Sequence, residues 1–254
     1  LSLSGALSLV LGMLSFAVIG LALTSAWRQL RASRRFVRAL DIVERRRVGG
    51  VTVAVADEQQ PVAFCAGLLR PRIYVSTGAL AALDGDELQA VVTHERHHAR
   101  QRDPLRIFVA RVLGDALFFL PAARRLGERY ASLAELAADR AAVRAAGDSR
   151  PLASALLSFE AADPAVVGIA PERVDHLMGQ RAAWELPLVL LAWSSIALVA
   201  VVAVALRVRV TASTELNVPL LLARSCMLAM AVAPLAIGGF LLAHRRMRSA
   251  SSRA

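Results

Sequence analysis

A chain of 254 residues can hold one sizeable core, or a small domain together with membrane helices. Its hydrophobic share of 56% and mean hydropathy of +0.51 lie above those of an ordinary soluble domain. The net charge is +10, and all 30 basic residues are arginine, so Schiff-base, P-loop and Ser-x-x-Lys chemistries are excluded for want of a lysine.

Leu1 to Trp27 carries no charge and is long enough to span a bilayer. A signal peptide is the alternative, but no small-x-small cleavage site follows the apolar run. The first residue is Leu1 rather than methionine, which leaves room for an upstream piece. Eight arginines then fall between Arg28 and Arg47. The positive-inside rule places the following segment, residues 28–183, in the cytoplasm. Attraction to anionic lipid accounts for the same run, which lacks a platform of stacking aromatics, so no nucleic-acid partner is expected.

Residues 51–56, 62–65 and 72–76 read as short strands punctuated by Gly49-Gly50 and Pro61. An exposed edge of their small sheet could take up an extended peptide as an added strand. Cys65 falls in one of these strands and Cys226 in an apolar span, so no disulfide between them is expected, and neither has metal-ligand spacing.

Asp84-Gly85-Asp86-Glu87 reads as a helix start, with Asp84 as N-cap and Glu87 closing a capping box. Leu88, Val91 and Val92 follow at helical spacing, and nothing breaks the helix before Asp103-Pro104. Near its middle lies His94-Glu95-Arg96-His97-His98, an H-E-x-x-H run. Positions i and i+4 share a helix face, so His94 and His98 can offer two imidazoles to one metal ion. Glu95 stands beside them as a general base, and His97 is off that face. A solvated basic patch is the plainer alternative, supported by Arg96, Arg100 and Arg102, yet three of the chain's five histidines sit here around that glutamate.

Leu105 to Pro121 is apolar enough to pass for a short span, with Arg111 and Asp115 inside it. A single crossing there would put His98 and the carboxylates downstream on opposite sides of the bilayer. The segment is therefore expected as a buried or membrane-surface helix, or a re-entrant pair, on the cytoplasmic side.

A catalytic zinc site takes three protein ligands and keeps one position open. Two carboxylates compete for the third place. Glu135 is followed by Asp139 four residues on, so both face one way on an Ala-rich helix, and Asp139 can accept a hydrogen bond from a ligand imidazole. Glu160 is paired with Asp163 just before Pro164, an arrangement closer to helix-end polarity. Residues 150–161 read as helix, 162–171 as loop, and a further helix begins at Pro171.

Leu186 to Leu206 is a second uncharged span, and Val218 to Ala243 a third, interrupted by Arg224, Pro234 and Gly238-Gly239. Arg224, near one end, can snorkel to the interface. Arg245, Arg246, Arg248 and Arg253 hold the tail in the cytoplasm. The expected organisation is a transmembrane helix at 1–27, a cytoplasmic domain at 28–183, two transmembrane helices within 184–243 and a basic tail at 244–254, a multi-pass protein of the cell membrane.

Three stretches carry a resemblance to a known family: Phe64-Cys65-Ala66-Gly67-Leu68-Leu69-Arg70-Pro71-Arg72-Ile73-Tyr74-Val75-Ser76, then Glu87 through His98, then Arg102-Asp103-Pro104-Leu105-Arg106. They resemble the integral-membrane zinc metallopeptidases of the BlaR/MecR type, relatives of the HtpX and CAAX-prenyl protease group. Glu135-Leu136-Ala137-Ala138-Asp139 resembles that family's E-x-x-x-D helix. The likeness covers about residues 60–145. It implies a mostly α fold, with transmembrane helices plus an α+β gluzincin-like protease domain bearing a small sheet. It implies Zn2+ held by His94, His98 and Glu135, with Glu95 as general base and a protein or peptide as substrate.

Arg173 and His176 are candidate oxyanion stabilisers, since the run from Pro171 loosely resembles a family segment in which a downstream His and Arg serve this role. The family's histidine before the proline is replaced by Ala170, and Arg173 has Glu172 and Asp175 as ion-pair neighbours. BlaR-type receptors carry a penicillin-binding sensor after their last span. About a dozen residues follow here, and without lysine no sensor role is expected. The expected function is a membrane-integrated zinc endopeptidase cleaving a cytoplasmic regulator or a membrane protein. A non-catalytic membrane interaction protein retaining a structural zinc is the alternative, and the presence of Glu95 argues against it.

Overall fold

The structure, a computed structural model, describes residues 3–162 and 188–211. They are mostly helical with one small sheet, as expected from the sequence. The described residues divide into two compact units, one within residues 22–191 and one within residues 1–21 and 192–211.

In the second unit, Leu11 is buried against Leu7, Val204 and Ala205. The helices involved are α1 (Leu3–Ala39) and α7 (Leu188–Thr211), both long and apolar enough to cross a membrane. Helix α1 does not stop at Trp27: it runs on through Arg28, Arg31, Arg34, Arg35 and Arg38, because nothing there breaks a helix. The third expected span, Val218 to Ala243, and the helix expected from Pro171 lie outside the described residues.

The larger unit is built on a four-stranded sheet of β1 (Ile42–Val48), β2 (Val51–Ala56), β3 (Ala63–Ala66) and β4 (Arg72–Ser76), in the order β1-β2-β4-β3. Strands β2 and β4 stand where the sequence places them, and β3 lies one residue later than the 62–65 expected. Strand β1 is additional. Its residues are almost all exposed, and Arg45-Arg46-Arg47 conceals any alternation of apolar and polar positions. It exists because it pairs antiparallel with β2 across Gly49-Gly50, where φ of +53° and +76° makes the tight two-residue turn that glycine permits. Strands β2 and β4 are parallel, and β3 pairs antiparallel with β4 at the other edge.

A short helix, α2 (Thr77–Ala82), follows β4, capped by Ser76. Then comes α3 (Gly85–Gln101), which carries the motif. Its capping box is present in both directions: Glu87 N–H donates to Asp84 Oδ1 at 2.8 Å, and Asp84 N–H to Glu87 Oε2 at 3.0 Å. Val91 and Val92 bury against Val53, Ile73 and Val75 of the sheet, and against Phe159 of α6 (Arg150–Ala162). Burial of such side chains stabilises by roughly 1.5–3 kcal/mol each, which fixes which face of α3 the sheet covers.

Helices α4 (Asp103–Ala116) and α5 (Pro121–Ala146) form an antiparallel hairpin beside α3. The register is set by close approach. A Cβ on Gly114 would stand 3.2 Å from Arg124 Cα, and one on Gly127 3.4 Å from Ala110 O. The apolar segment from Leu105 is thus a helix of this hairpin within the larger unit. The turn from α3 into α4 is made by Arg102, whose φ of 56° lies in the left-handed region.

Candidate metal centre

Three elements bring the site together. Helix α3 supplies His94, Glu95 and His98, all buried, with the two histidines turned to α4 and α5. Helix α5 supplies Glu135 and Asp139, and the first residue of α4 supplies Asp103. His94 Nε2 and His98 Nε2 lie 3.0 Å apart. Glu135 faces both, with Oε2 3.4 Å from His94 Nε2 and Oε1 3.5 Å from His98 Nε2. Glu135 is 38% exposed while both imidazoles are nearly buried, so the site opens to solvent on the Glu135 side.

The other ring nitrogens face carboxylates. His98 Nδ1 is 2.9 Å from Asp103 Oδ2. His94 Nδ1 is 2.9 Å from Asp139 Oδ1, at hydrogen-bond distance but off the ideal angle. Asp139 is fully buried and Asp103 nearly so. A carboxylate only accepts, so each Nδ1 carries the proton, and each Nε2 turns a lone pair toward the other. Two lone pairs 3.0 Å apart repel unless a proton, in an Nε2–H···Nε2 hydrogen bond, or a metal ion lies between them. The three inter-ligand edges, 3.0, 3.4 and 3.5 Å, bracket the roughly 3.3 Å that tetrahedral bonds of about 2.05 Å would set. The donor set therefore fits a metal ion. Among the described residues, His94, His98 and Glu135 are the group of His, Cys, Asp or Glu that could hold one, and Glu160 on α6 is not part of it.

The local electrostatics also favour a cation. Burial lowers the pKa of His94, but hydrogen bonding to Asp139 and Glu135 and the charge of Glu95 outweigh it and push it up to about 9. Burial, with Glu95 and Asp103 nearby, pushes the Cys65 thiol up to about 12, which sets β3 close to the site. His97 is partly exposed and off the ligand face, and burial holds its pKa below the usual value. Arg173 and His176 lie outside the described residues.

Asp103 is the residue that sequence reasoning missed. With Pro104 it reads only as the end of the metal helix. The left-handed Arg102 turns the chain so sharply that Asp103, five residues after His98, comes back beneath its ring. Tyr130 on α5 donates to Asp103 Oδ1 at 3.3 Å, and Arg106 Nη1 lies 3.8 Å from the same oxygen. A buried acceptor partner five residues from His98 follows no helical period, so only the turn reveals it.

A small mixed sheet is laid over a helix that presents two histidines and a glutamate, and an acidic residue from a later helix closes a cluster able to hold a metal ion. The family model for BlaR1 peptidase M56 matches residues 4–183, and the chain belongs to that family. It is also similar to two curated proteins called protease HtpX homolog. One, from Acidiphilium cryptum, is 43% identical over 67 residues, 26% of this chain and 23% of that protein. The other, from Gemmatimonas aurantiaca, is 37% identical over 68 residues, 26% of this chain and 24% of that protein. The matched stretch thus spans about a quarter of either relative. No solved structure matches the chain. That membership goes with two helices among the described residues that are long and apolar enough to cross a membrane.

Proposed function

We propose that the chain is a zinc-dependent endopeptidase whose catalytic unit works on the cytoplasmic side of the cell membrane, cutting a cytoplasmic regulator or another membrane protein. In this reading residues 1–27 anchor it, 28–183 form the protease domain, and 184–243 return to the bilayer before a basic tail. The observation that carries it is the convergence of His94 Nε2, His98 Nε2 and a Glu135 carboxylate oxygen, with Glu95 next to His94 on the same helix.

Zinc held by His94, His98 and Glu135 would supply an acidified water and a Lewis acid for the scissile carbonyl. Asp139 and Asp103 hold the two imidazoles in the tautomer that presents Nε2. Glu95 takes the proton of the attacking water and delivers it to the leaving amine. Its position on α3 is rigid because Val91 and Val92 lock the same helix against the sheet. Strand β3, an edge of that sheet and packed against α3, supports a substrate laid down as an added strand, with main-chain hydrogen bonds giving affinity.

The test is Glu95→Gln in the full chain. Glutamine keeps the shape but cannot accept a proton, so metal content should stay while cleavage falls by about 10²–10⁴-fold. Proteins that accumulate on this variant in membranes, identified by mass spectrometry, are the substrates. Cleavage at the wild-type rate would remove Glu95 from the mechanism. A wild type that holds zinc and cuts nothing would favour the non-catalytic alternative.

A further inference from the structure

We propose that the turn between α4 and α5 is a membrane-inserting tip, which seats the catalytic unit on the bilayer with its metal end held clear of the hydrocarbon. The occupant of this surface is the lipid bilayer.

The composition of the tip is the first observation. From Val112 to Ala123 the only charged residue is Asp115, and the run closes with Leu117-Phe118-Phe119-Leu120-Pro121. Phe118 is 54% exposed at the point of the hairpin, with the Phe119 ring edge-on to it. Two aromatic rings at a solvent-exposed turn are costly in water and favoured at a lipid interface.

The second observation says what covers it. Ser25 Oγ on α1 donates to Asp115 Oδ2 at 2.5 Å, and Gln29 donates to the same Ser25 hydroxyl. Ser25 lies in the uncharged stretch of α1, three residues before Arg28, or roughly 4.5 Å along the axis from the first charge. Trp27, 58% exposed with Arg31 stacked on its ring, marks the same level as an interfacial aromatic would. The hydrogen bond therefore ties the last turn of α4 to the membrane helix at the depth where that helix leaves the bilayer. It also satisfies the one carboxylate that the tip would carry into the interface.

The third observation is the ring of arginines behind the tip. Arg111 on α4 and Arg124 and Arg125 on α5 are exposed, each within two helical turns of Phe118. They stand where they would meet lipid headgroups if the tip enters by the 5–10 Å usual for interfacial elements, roughly one to two turns. Close packing of the hairpin at Gly114 and Gly127 makes it stiff enough to be driven in as one piece.

The consequence concerns the active site. Helix α4 begins at Asp103, against His98, and ends beside Asp115, against Ser25. These residues are roughly 18 Å apart along the helix. The hairpin is thus a strut with its tip in lipid and its other end at the metal cluster.

The inference rests on reading α1 as a membrane span, and the experiment separates the two. In a Cys65→Ser, Cys226→Ser background, single cysteines at Phe118, Leu120, Leu23 and Arg144 are spin-labelled in the full chain. The protein is reconstituted in vesicles of mixed neutral and anionic phospholipid. Collision rates with oxygen, which concentrates in lipid, and with a nickel chelate, which stays in water, are then measured. Leu23 is an exposed position of the α1 span, and Arg144 is exposed at the far end of α5. The expected result is oxygen-dominated collision at Phe118, Leu120 and Leu23, and nickel-dominated collision at Arg144. Leu120 reads the same tip should the label at Phe118 disturb the fold. Nickel access at both tip positions equal to that at Arg144 overturns the proposal, and so does shielding from both reagents, which would mean that protein covers the tip. Nickel access at Leu23 as well would show that the membrane reading of α1 had failed first.

Discussion

Replacing Asp103 with asparagine isolates the contact that sequence reasoning missed. The carboxylate lies 2.9 Å from His98 Nδ1 and also accepts from Tyr130, and it is 3% exposed, so water cannot take its place. Asparagine has one acceptor oxygen where aspartate has two. Turned toward His98, that oxygen can keep the Nδ1 proton, but without the negative charge that makes the ring more basic. Turned the other way, the amide donates to Nδ1 and moves the ring proton to Nε2, which then cannot bind a metal. Losing such a support usually lowers metal affinity by about 10–100-fold, or about 1.4–2.7 kcal/mol. The volume is unchanged, so no cavity term adds to it. The assay is competition with a chromophoric zinc chelator, using the purified full chain, with circular dichroism as a check on the fold. Wild-type zinc affinity in Asp103→Asn would falsify the view that this carboxylate sets the His98 tautomer.

Three further outcomes are expected. Glu135→Ala should lose most of the bound metal and Glu160→Ala none, because Glu160 is outside the cluster that His94, His98 and Glu135 make; metal analysis of the two proteins decides it. Cys65, with its pKa raised from 9.0 to about 12, stays a neutral thiol in the fold, whereas the unfolded chain ionises near the ordinary value. Alkylation by iodoacetamide at about pH 8 should be roughly 10³-fold slower in the folded protein than in denaturant, read site by site by mass spectrometry; equal rates would show that the thiol is neither buried nor near the acidic site. Because Arg102 sits at φ 56°, Arg102→Gly should be tolerated, whereas the β-branched Arg102→Val should lower stability by about 1–2 kcal/mol and loosen the Asp103 contact, measured by thermal denaturation of the metal-free protein.

Local chemistry made much of this protein legible without coordinates. A capping box and a helical run of apolar residues are enough to set His94 and His98 on one face, since the period of a helix is a property of the backbone. Uncharged runs longer than a bilayer is thick announce the apolar helices α1 and α7. The edge strand β1 was illegible because its partner, and not its own pattern, makes it a strand. The choice between Glu135 and Glu160 could be argued from spacing, but only the packing of α5 against α3 brings Glu135 to the imidazoles. Asp103 needed the tertiary structure altogether. A left-handed turn at a non-glycine residue and a helix hairpin returning Tyr130 to the same carboxylate are long-range facts, and no periodicity in the chain encodes them.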